Sequence, residues 1–163
     1  TCQAKLFPIF PAKPTFKANL PVELPDNYLV RLILKDKNGA VISHNDYWKN
    51  VKKTGNFLAF NDLESTKLAI KVTGSKKAES SETYFTITNK SAVPAIGVKL
   101  NLKNQLTKEI ILPAYFSDGY FTLLPGETRN IKVEYPNQNK EVEIAVYGYN
   151  IQNTNNFKIA STN

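Results

Sequence analysis

Cysteine and histidine are nearly missing: the 163 residues hold one of each, Cys2 and His44. A lone cysteine beside the terminus excludes an internal disulfide, and together the two counts exclude a zinc site built on thiolates or imidazoles. A Ser/His/Asp arrangement would have to recruit His44, which sits among polar neighbours in a strand-like segment and reads as an ordinary strand residue. Glycine is sparse as well. Gly119, Gly126 and Gly148 each stand singly beside turn or strand residues, so no phosphate-cradling loop exists and nucleotide chemistry has no foothold. No apolar run reaches the ~18 residues of a membrane span, so membrane insertion is not expected. The opening Thr1-Cys2-Gln3-Ala4-Lys5 lacks the basic-then-apolar layout of a signal peptide, so any export signal is expected to have been removed or to lie upstream.

What is present is a basic, moderately apolar chain. Net charge is +7, from 21 Lys and Arg against 14 acids, and 42% apolar content is enough for a core. The lysines fall singly along strand-like segments (Lys67, Lys71, Lys99, Lys103, Lys132), where alternation places them on solvent faces and edges. The paired ones, Lys52-Lys53 and Lys76-Lys77, come with no recognition helix or RNA-binding signature. Nucleic acid is therefore not an expected partner.

Period-two alternation with β-branched and aromatic residues recurs throughout and no helical stripe appears, so the fold class is all-β. The clearest element runs from Tyr28 to Trp48, two antiparallel strands about Asn38-Gly39. A two-residue type I′ turn there puts both residues at positive φ, sets Lys37 against Ala40, Arg31 against Asp46 and Leu29 against Trp48. A longer loop is expected to destroy that register. Prolines 8, 11, 14, 21 and 25 confine the preceding stretch to connections and edges, with Lys13–Leu20 as an edge strand. Alternation is lost from residue 49 to 66, which places a linker at 51–64.

Strands are then expected at Lys67–Thr73, Thr83–Asn89, Ile96–Leu102, Ile110–Phe116, Tyr120–Leu123, Arg129–Tyr135 and Val142–Tyr149. That spacing predicts an immunoglobulin-like antiparallel β-sandwich over 65–163. Residues 1–50 carry too few strands to close a sandwich, so they are expected to be the C-terminal part of a preceding β-sandwich domain.

Chemistry is thinly provided. Paired carboxylates hydrolyse glycosidic bonds across ~5–9 Å, and Asp46, Asp118 and Glu127 are the acids nearest aromatics. Each has a structural reading. Asp118-Gly119 is an Asx-type turn whose carboxylate accepts an N–H two residues on, and Pro125-Gly126 is the centre of a type II turn. The aromatics Tyr115, Phe116, Tyr120, Phe121, Tyr147 and Tyr149 suit the gap between sheets or a domain interface better than a sugar platform. Trp48, Tyr115, Tyr120 and Tyr147 are retained as candidate glycan or interdomain contacts, with no catalytic, cofactor or metal residue expected. Asn38, Gly39, Asp118, Gly119, Pro125 and Gly126 are expected to be structural turns.

Two stretches resemble a known family. "LPDNYLVRLILKDKNGAVISHNDYWKN" at 24–50 resembles the end of the immunoglobulin-like domain after the catalytic barrel in exo-β-D-glucosaminidases and β-mannosidase-like enzymes of glycoside hydrolase family two. The matching positions are Tyr28, Val30, Arg31, Leu32, Gly39, Ser43, Asn45, Tyr47 and Trp48. "LPAYFSDGYFTLLPGE" at 112–127 is similar to the hallmark of the C-terminal immunoglobulin-like domain of those enzymes, which usually carries Asn at the position of Gly119. "YFTITNKSAVPAIGVKLNL" at 84–102 resembles its second and third strands. The resemblance implies that the two catalytic glutamates are on a barrel upstream, making this chain a non-catalytic accessory region of a retaining exo-acting β-glycosidase, with that barrel as its partner. It further implies a chitosan-like or mannan-like polysaccharide as the parent's substrate and a secreted or periplasmic location. The rival reading is an independent carbohydrate-binding module, separated by whether the isolated chain binds chitosan oligomers saturably. An adhesion domain that accepts a partner strand is disfavoured by the proline-rich start.

Overall fold

A computed structural model describes residues 23, 25–52, 56–77, 80–136, 141–151 and 156–159. Cys2 and the expected edge strand Lys13–Leu20 lie outside them. The chain divides into two compact units, Thr1–Ala59 and Phe60–Asn163. Among the described residues the one helical element is the 3₁₀ turn Leu58–Asp62. No helix among them is long and apolar enough to cross a membrane.

Among the described residues of the first unit, β1 (Asn27–Lys35) pairs with β2 (Val41–Asn50) in a hairpin. Arg31 faces Asp46 and Leu29 faces Trp48, as the expected register has it. The loop differs. Lys35 pairs with Val41 after a register shift at Leu34/Lys35, and the Asp36 N–H donates to Ala40 O at 2.8 Å. Only Gly39 takes a left-handed φ, at +85°, and Asn38 does not, so the turn is not type I′. The Asp36 carboxylate accepts the N–H groups of Asn38 and Ala40, both at 2.8 Å, which stabilises the wider loop. The bulge absorbs the extra residue, and the register beyond it survives the longer loop.

The second unit is a sandwich of two antiparallel sheets. One contains β3 (Leu68–Lys77), β4 (Ser80–Asn89), β8 (Thr128–Pro136) and β6 (Tyr115–Phe116), in that spatial order. The other runs β10 (Asn156–Ile159), β9 (Val142–Tyr147), β5 (Ala95–Asn104) and β7 (Tyr120–Leu123). Strict alternation along β4 turns Phe85 and Ile87 inward, and β8 contributes Ile131, Val133 and Tyr135. The facing sheet contributes Val98, Leu100, Leu102, Phe121, Leu123, Val142, Ile144 and Val146 to the same cluster. Each such side chain is worth about 1.5–3 kcal/mol of transfer free energy, and this core holds the sheets together. Inside it the hydroxyls of Thr83 and Tyr135 satisfy one another at 3.2 Å.

The expected strand Ile110–Phe116 does not form as one element. Ile110 makes an isolated bridge to Lys103 of β5, whereas Tyr115 and Phe116 pair with Glu134 and Val133 of β8 in the opposite sheet. Between them Leu112–Pro113 is a cis peptide, and proline supplies no N–H to a ladder. The segment therefore crosses from one sheet to the other.

Candidate functional site

The stretch from Tyr115 to Arg129 concentrates aromatics, acids and turns, and the structure separates these into distinct jobs. Leu124-Pro125-Gly126-Glu127 closes a turn with Glu127 N–H donating to Leu124 O at 3.0 Å and Gly126 at φ +74°. That left-handed residue is what glycine supplies in a type II turn. The Glu127 carboxylate accepts the Leu124 N–H at 2.8 Å, and Asn89 clamps the turn by accepting from Gly126 N–H and donating to Glu127 O, both at 3.0 Å.

Asp118 does not make the Asx turn its sequence suggests: its carboxylate bonds the Arg129 guanidinium. Arg129 also lies 4.6 Å from the Phe121 ring centroid and 3.9 Å from Glu127 Oε1. A fixed, charged guanidinium offers a carboxylate more than a single backbone N–H does. Sequence reasoning missed Arg129, although a signal existed. The chain's only arginines are Arg31 and Arg129, and each is held by an aspartate, Arg31 by Asp46 at 2.7 and 2.9 Å. All three acids considered for catalysis, Asp46, Asp118 and Glu127, are thus engaged in structural contacts.

The aromatics do not form one cluster. Phe121 is 6% exposed and in the core, and Phe116 packs partly against it. Tyr115, Tyr120 and Tyr149 are 67%, 69% and 66% exposed, so of the two expected places for these aromatics, the core or a domain interface, these three do not take the core. Tyrosine carries a hydroxyl that water satisfies, so the tyrosines take the outward positions and Phe121 the inward one. Tyr115 stands on the β3–β4–β8–β6 sheet opposite Glu134. Tyr120 and Tyr147 stand on the other sheet, on either side of Lys99, and Lys103 Nζ lies 5.4 Å from the Tyr147 ring centroid. Tyr120 and Tyr149 close over Gly97, whose φ of +61° and missing side chain make room for both rings. Trp48 is half-buried in the first unit, opposite Leu29.

A second feature lies on the outer face of the β3–β4–β8–β6 sheet. Thr73, Tyr84, Thr86, Ser117, Asn130 and Lys132 line an open groove of about 360 Å³. Short side chains leave this space, since strands otherwise cover a solvent face with long ones. At one end Glu82 and Glu134 stand directly opposite each other across β4 and β8. Lys132 Nζ reaches Glu82 Oε1 at 3.4 Å and Glu134 Oε2 at 3.6 Å, which offsets the like-charge pairing. Tyr84 Oη donates to Glu82 Oε2 at 2.6 Å, and this bond raises the Tyr84 pKa above its ordinary value. The hydrogen bond to Glu82 likewise raises that of Lys132.

Residues 45–151, more than half of the chain, match the family model for the exo-β-D-glucosaminidase Ig-fold domain. An exo-β-D-glucosaminidase of Arthroderma benhamiae is 32% identical over 146 residues, 78% of this chain and 16% of that protein. One of Hypocrea jecorina is 28% identical over 125 residues, 64% of this chain and 14% of that protein. The crystal structure of the Amycolatopsis orientalis exo-chitosanase CsxA superposes with a TM-score of 0.73 at 19% identity, over 86% of this chain and 19% of that one. The chain thus spans less than a fifth of each of these proteins. Its two-sheet antiparallel sandwich and the family match agree: the chain belongs to the exo-β-D-glucosaminidase Ig-fold domain family.

Proposed function

We propose that this chain is a non-catalytic accessory region of a larger retaining exo-acting β-glycosidase, where it supports an upstream catalytic barrel and shapes the rim of its cleft. The observation that carries the reading is the engagement of Asp46, Asp118 and Glu127 in turns and ion pairs, within a chain matching under a fifth of glycosidase relatives. On this reading residues 1–50 belong to a preceding immunoglobulin-like domain, 51–64 are a linker and 65–163 are an immunoglobulin-like β-sandwich. The exposure of Leu32, Ile33, Val41 and Ile42 on a two-stranded hairpin supports the first assignment, because two strands alone do not bury such side chains. The parent's substrate is a β-linked amino sugar polymer, with a mannan-like chain as the alternative, and its location is secreted or periplasmic. An independent carbohydrate-binding module is the second reading, favoured by the open tyrosines Tyr120 and Tyr149.

Reading the gene upstream of the Thr1 codon tests the proposal. An open frame encoding a barrel with two glutamates at strand ends supports it. A stop codon or a signal peptide immediately upstream would overturn it in favour of a free-standing binding module.

A further inference from the structure

We propose that the groove on the outer face of the β3–β4–β8–β6 sheet is an ancillary glycan site that takes an amino-sugar chain, with Tyr84 against a ring face and Glu134 receiving an ammonium group. The choice of an amino sugar rests on the reading above, but the groove stands on its own geometry.

Three observations carry it. The groove is open along the sheet and about 360 Å³ in volume, within the range of small-ligand sites, so it accepts an extended chain from the side. Its lining joins the Tyr84 ring, Phe85 and Ile131 to the polar side chains of Thr73, Thr86, Ser117, Asn130 and Lys132, and the surface it presents is more apolar than polar. A pyranose presents the complementary surface, one face of C–H groups and an equatorial rim of donors and acceptors. The Tyr84 ring is also fixed before any ligand arrives, because its hydroxyl is bonded to Glu82 and its edge lies over Gly74. Preorganisation of this kind lowers the entropic cost of binding.

Charge selects among sugars. Glu134 occupies β8 between Glu82 of β4 and Tyr115 of β6. Its Oε1 takes a hydrogen bond from Ser80 Oγ at 3.4 Å, and its Oε2 is 3.6 Å from Lys132 Nζ. Both contacts are long, and a carboxylate has about four acceptor sites. A glucosamine ammonium supplies a close, charge-assisted donor there, while Lys132 and Lys71, which faces Thr86, serve ring hydroxyls. An N-acetylated ring brings no such cation.

The test is calorimetric titration of the full chain with a glucosamine hexamer, beside its N-acetylated counterpart. Saturable binding is expected with Kd of ~1 mM or tighter, weakened ~10-fold by N-acetylation and ~10-fold by Glu134→Gln or Tyr84→Ala. The Glu134→Gln change is isosteric and at the surface, so its melting temperature should match the parent's. No saturable heat, equal affinity for the two hexamers, or affinity unchanged by Glu134→Gln would each overturn the site. Binding lost in Tyr120→Ala but kept in Tyr84→Ala would move it to the other sheet and overturn it equally. Neither outcome bears on the accessory-region reading: a domain of a larger glycosidase can carry such a groove, so saturable binding no longer separates that reading from a free-standing module, and the gene context alone does.

Discussion

Arg129 holds its guanidinium 4.6 Å from the centroid of the Phe121 ring while bonding Asp118 and approaching Glu127. Three parts of the Tyr115–Arg129 stretch meet in this one side chain: the crossing after β6, the strand β7 and the turn that opens β8. A flat, charged group that stacks on an aromatic face and bonds carboxylates at its edge suits such a corner. The crowding of aromatics and acids that suggests a site in the sequence is, at this point, a fastening.

Removing either partner should therefore cost stability. Asp118→Ala is expected to lower it by about 1 kcal/mol, the modest figure reflecting a carboxylate that is partly solvated. Arg129→Lys is expected to cost about as much, because an ammonium keeps the charge and loses the planar stack. Urea denaturation of both variants checks this. An unchanged midpoint for Arg129→Lys would mean that charge alone fastens the corner.

Two glycines should respond in opposite directions. A Cβ on Gly148 would lie 2.5 Å from Ile151 Cδ1 and 2.8 Å from Ile96 O, and that backbone oxygen cannot step aside cheaply. Gly148→Ala is expected to destabilise by about 2–3 kcal/mol. At Gly119 a Cβ would meet only Phe116 Cβ at an ordinary 3.7 Å, outside left-handed φ. Gly119→Ala is expected to stabilise by about 0.4–1 kcal/mol through a less flexible unfolded chain. Thermal melts of the pair decide the matter, and a destabilised Gly119→Ala would reveal a constraint on this turn beyond the contact named.

The fold was largely legible because alternation survives translation into a sandwich: Ile131, Val133 and Tyr135 share the inward face of β8 as their spacing implies. Pairings set by nearest neighbours were legible too, as Arg31 against Asp46 shows. What escaped depends on distance in the chain. Nothing local to Ile110–Phe116 says that its two ends join different sheets. Nor does Asp118 announce that its partner is Arg129, eleven residues on, instead of the next turn's N–H. The groove was invisible for the same reason, since Tyr84, Ser117 and Asn130 come from separate segments. Within the aromatic cluster, residue type carried the missing information: Phe121 went in, while Tyr115, Tyr120 and Tyr149 stayed out.

Among the described residues Glu143 is the acid most removed from water, with its side chain 2% exposed, and Lys108 reaches it at 2.8 Å from a half-exposed position. Its other oxygen, Oε1, has no hydrogen-bond partner among the described residues. A buried ion pair breaks asymmetrically, because removing one member strands the other. Lys108→Met is expected to cost about 2 kcal/mol, reduced from the figure for a fully buried pair by the exposure of the lysine. Glu143→Leu is expected to cost less, since it removes both the charge and the unpartnered oxygen. Denaturant titration of the two variants tests the order, and a costlier Glu143→Leu would show that the carboxylate contributes more than its desolvation takes away.

Tyr84 and Lys132 set an alkaline limit on the network of the outer sheet face. The pKa values of both are raised, in each case chiefly by the hydrogen bond to Glu82, with Glu134 adding in the same direction. A group whose pKa is higher folded than unfolded holds its proton more tightly in the native state. Its stabilisation is complete below the unfolded value, about 10 for tyrosine, and is lost as pH climbs through the folded one. Stability should thus be insensitive to these two groups from neutral pH to ~9 and should fall above ~10. Tyr84→Phe removes one of the two titrations, so its stability should decline less steeply over the alkaline range while following the parent's profile below it. Denaturation midpoints measured at intervals from pH ~8 to ~11 decide this, and parallel alkaline slopes would mean that the Tyr84–Glu82 bond does not survive in solution.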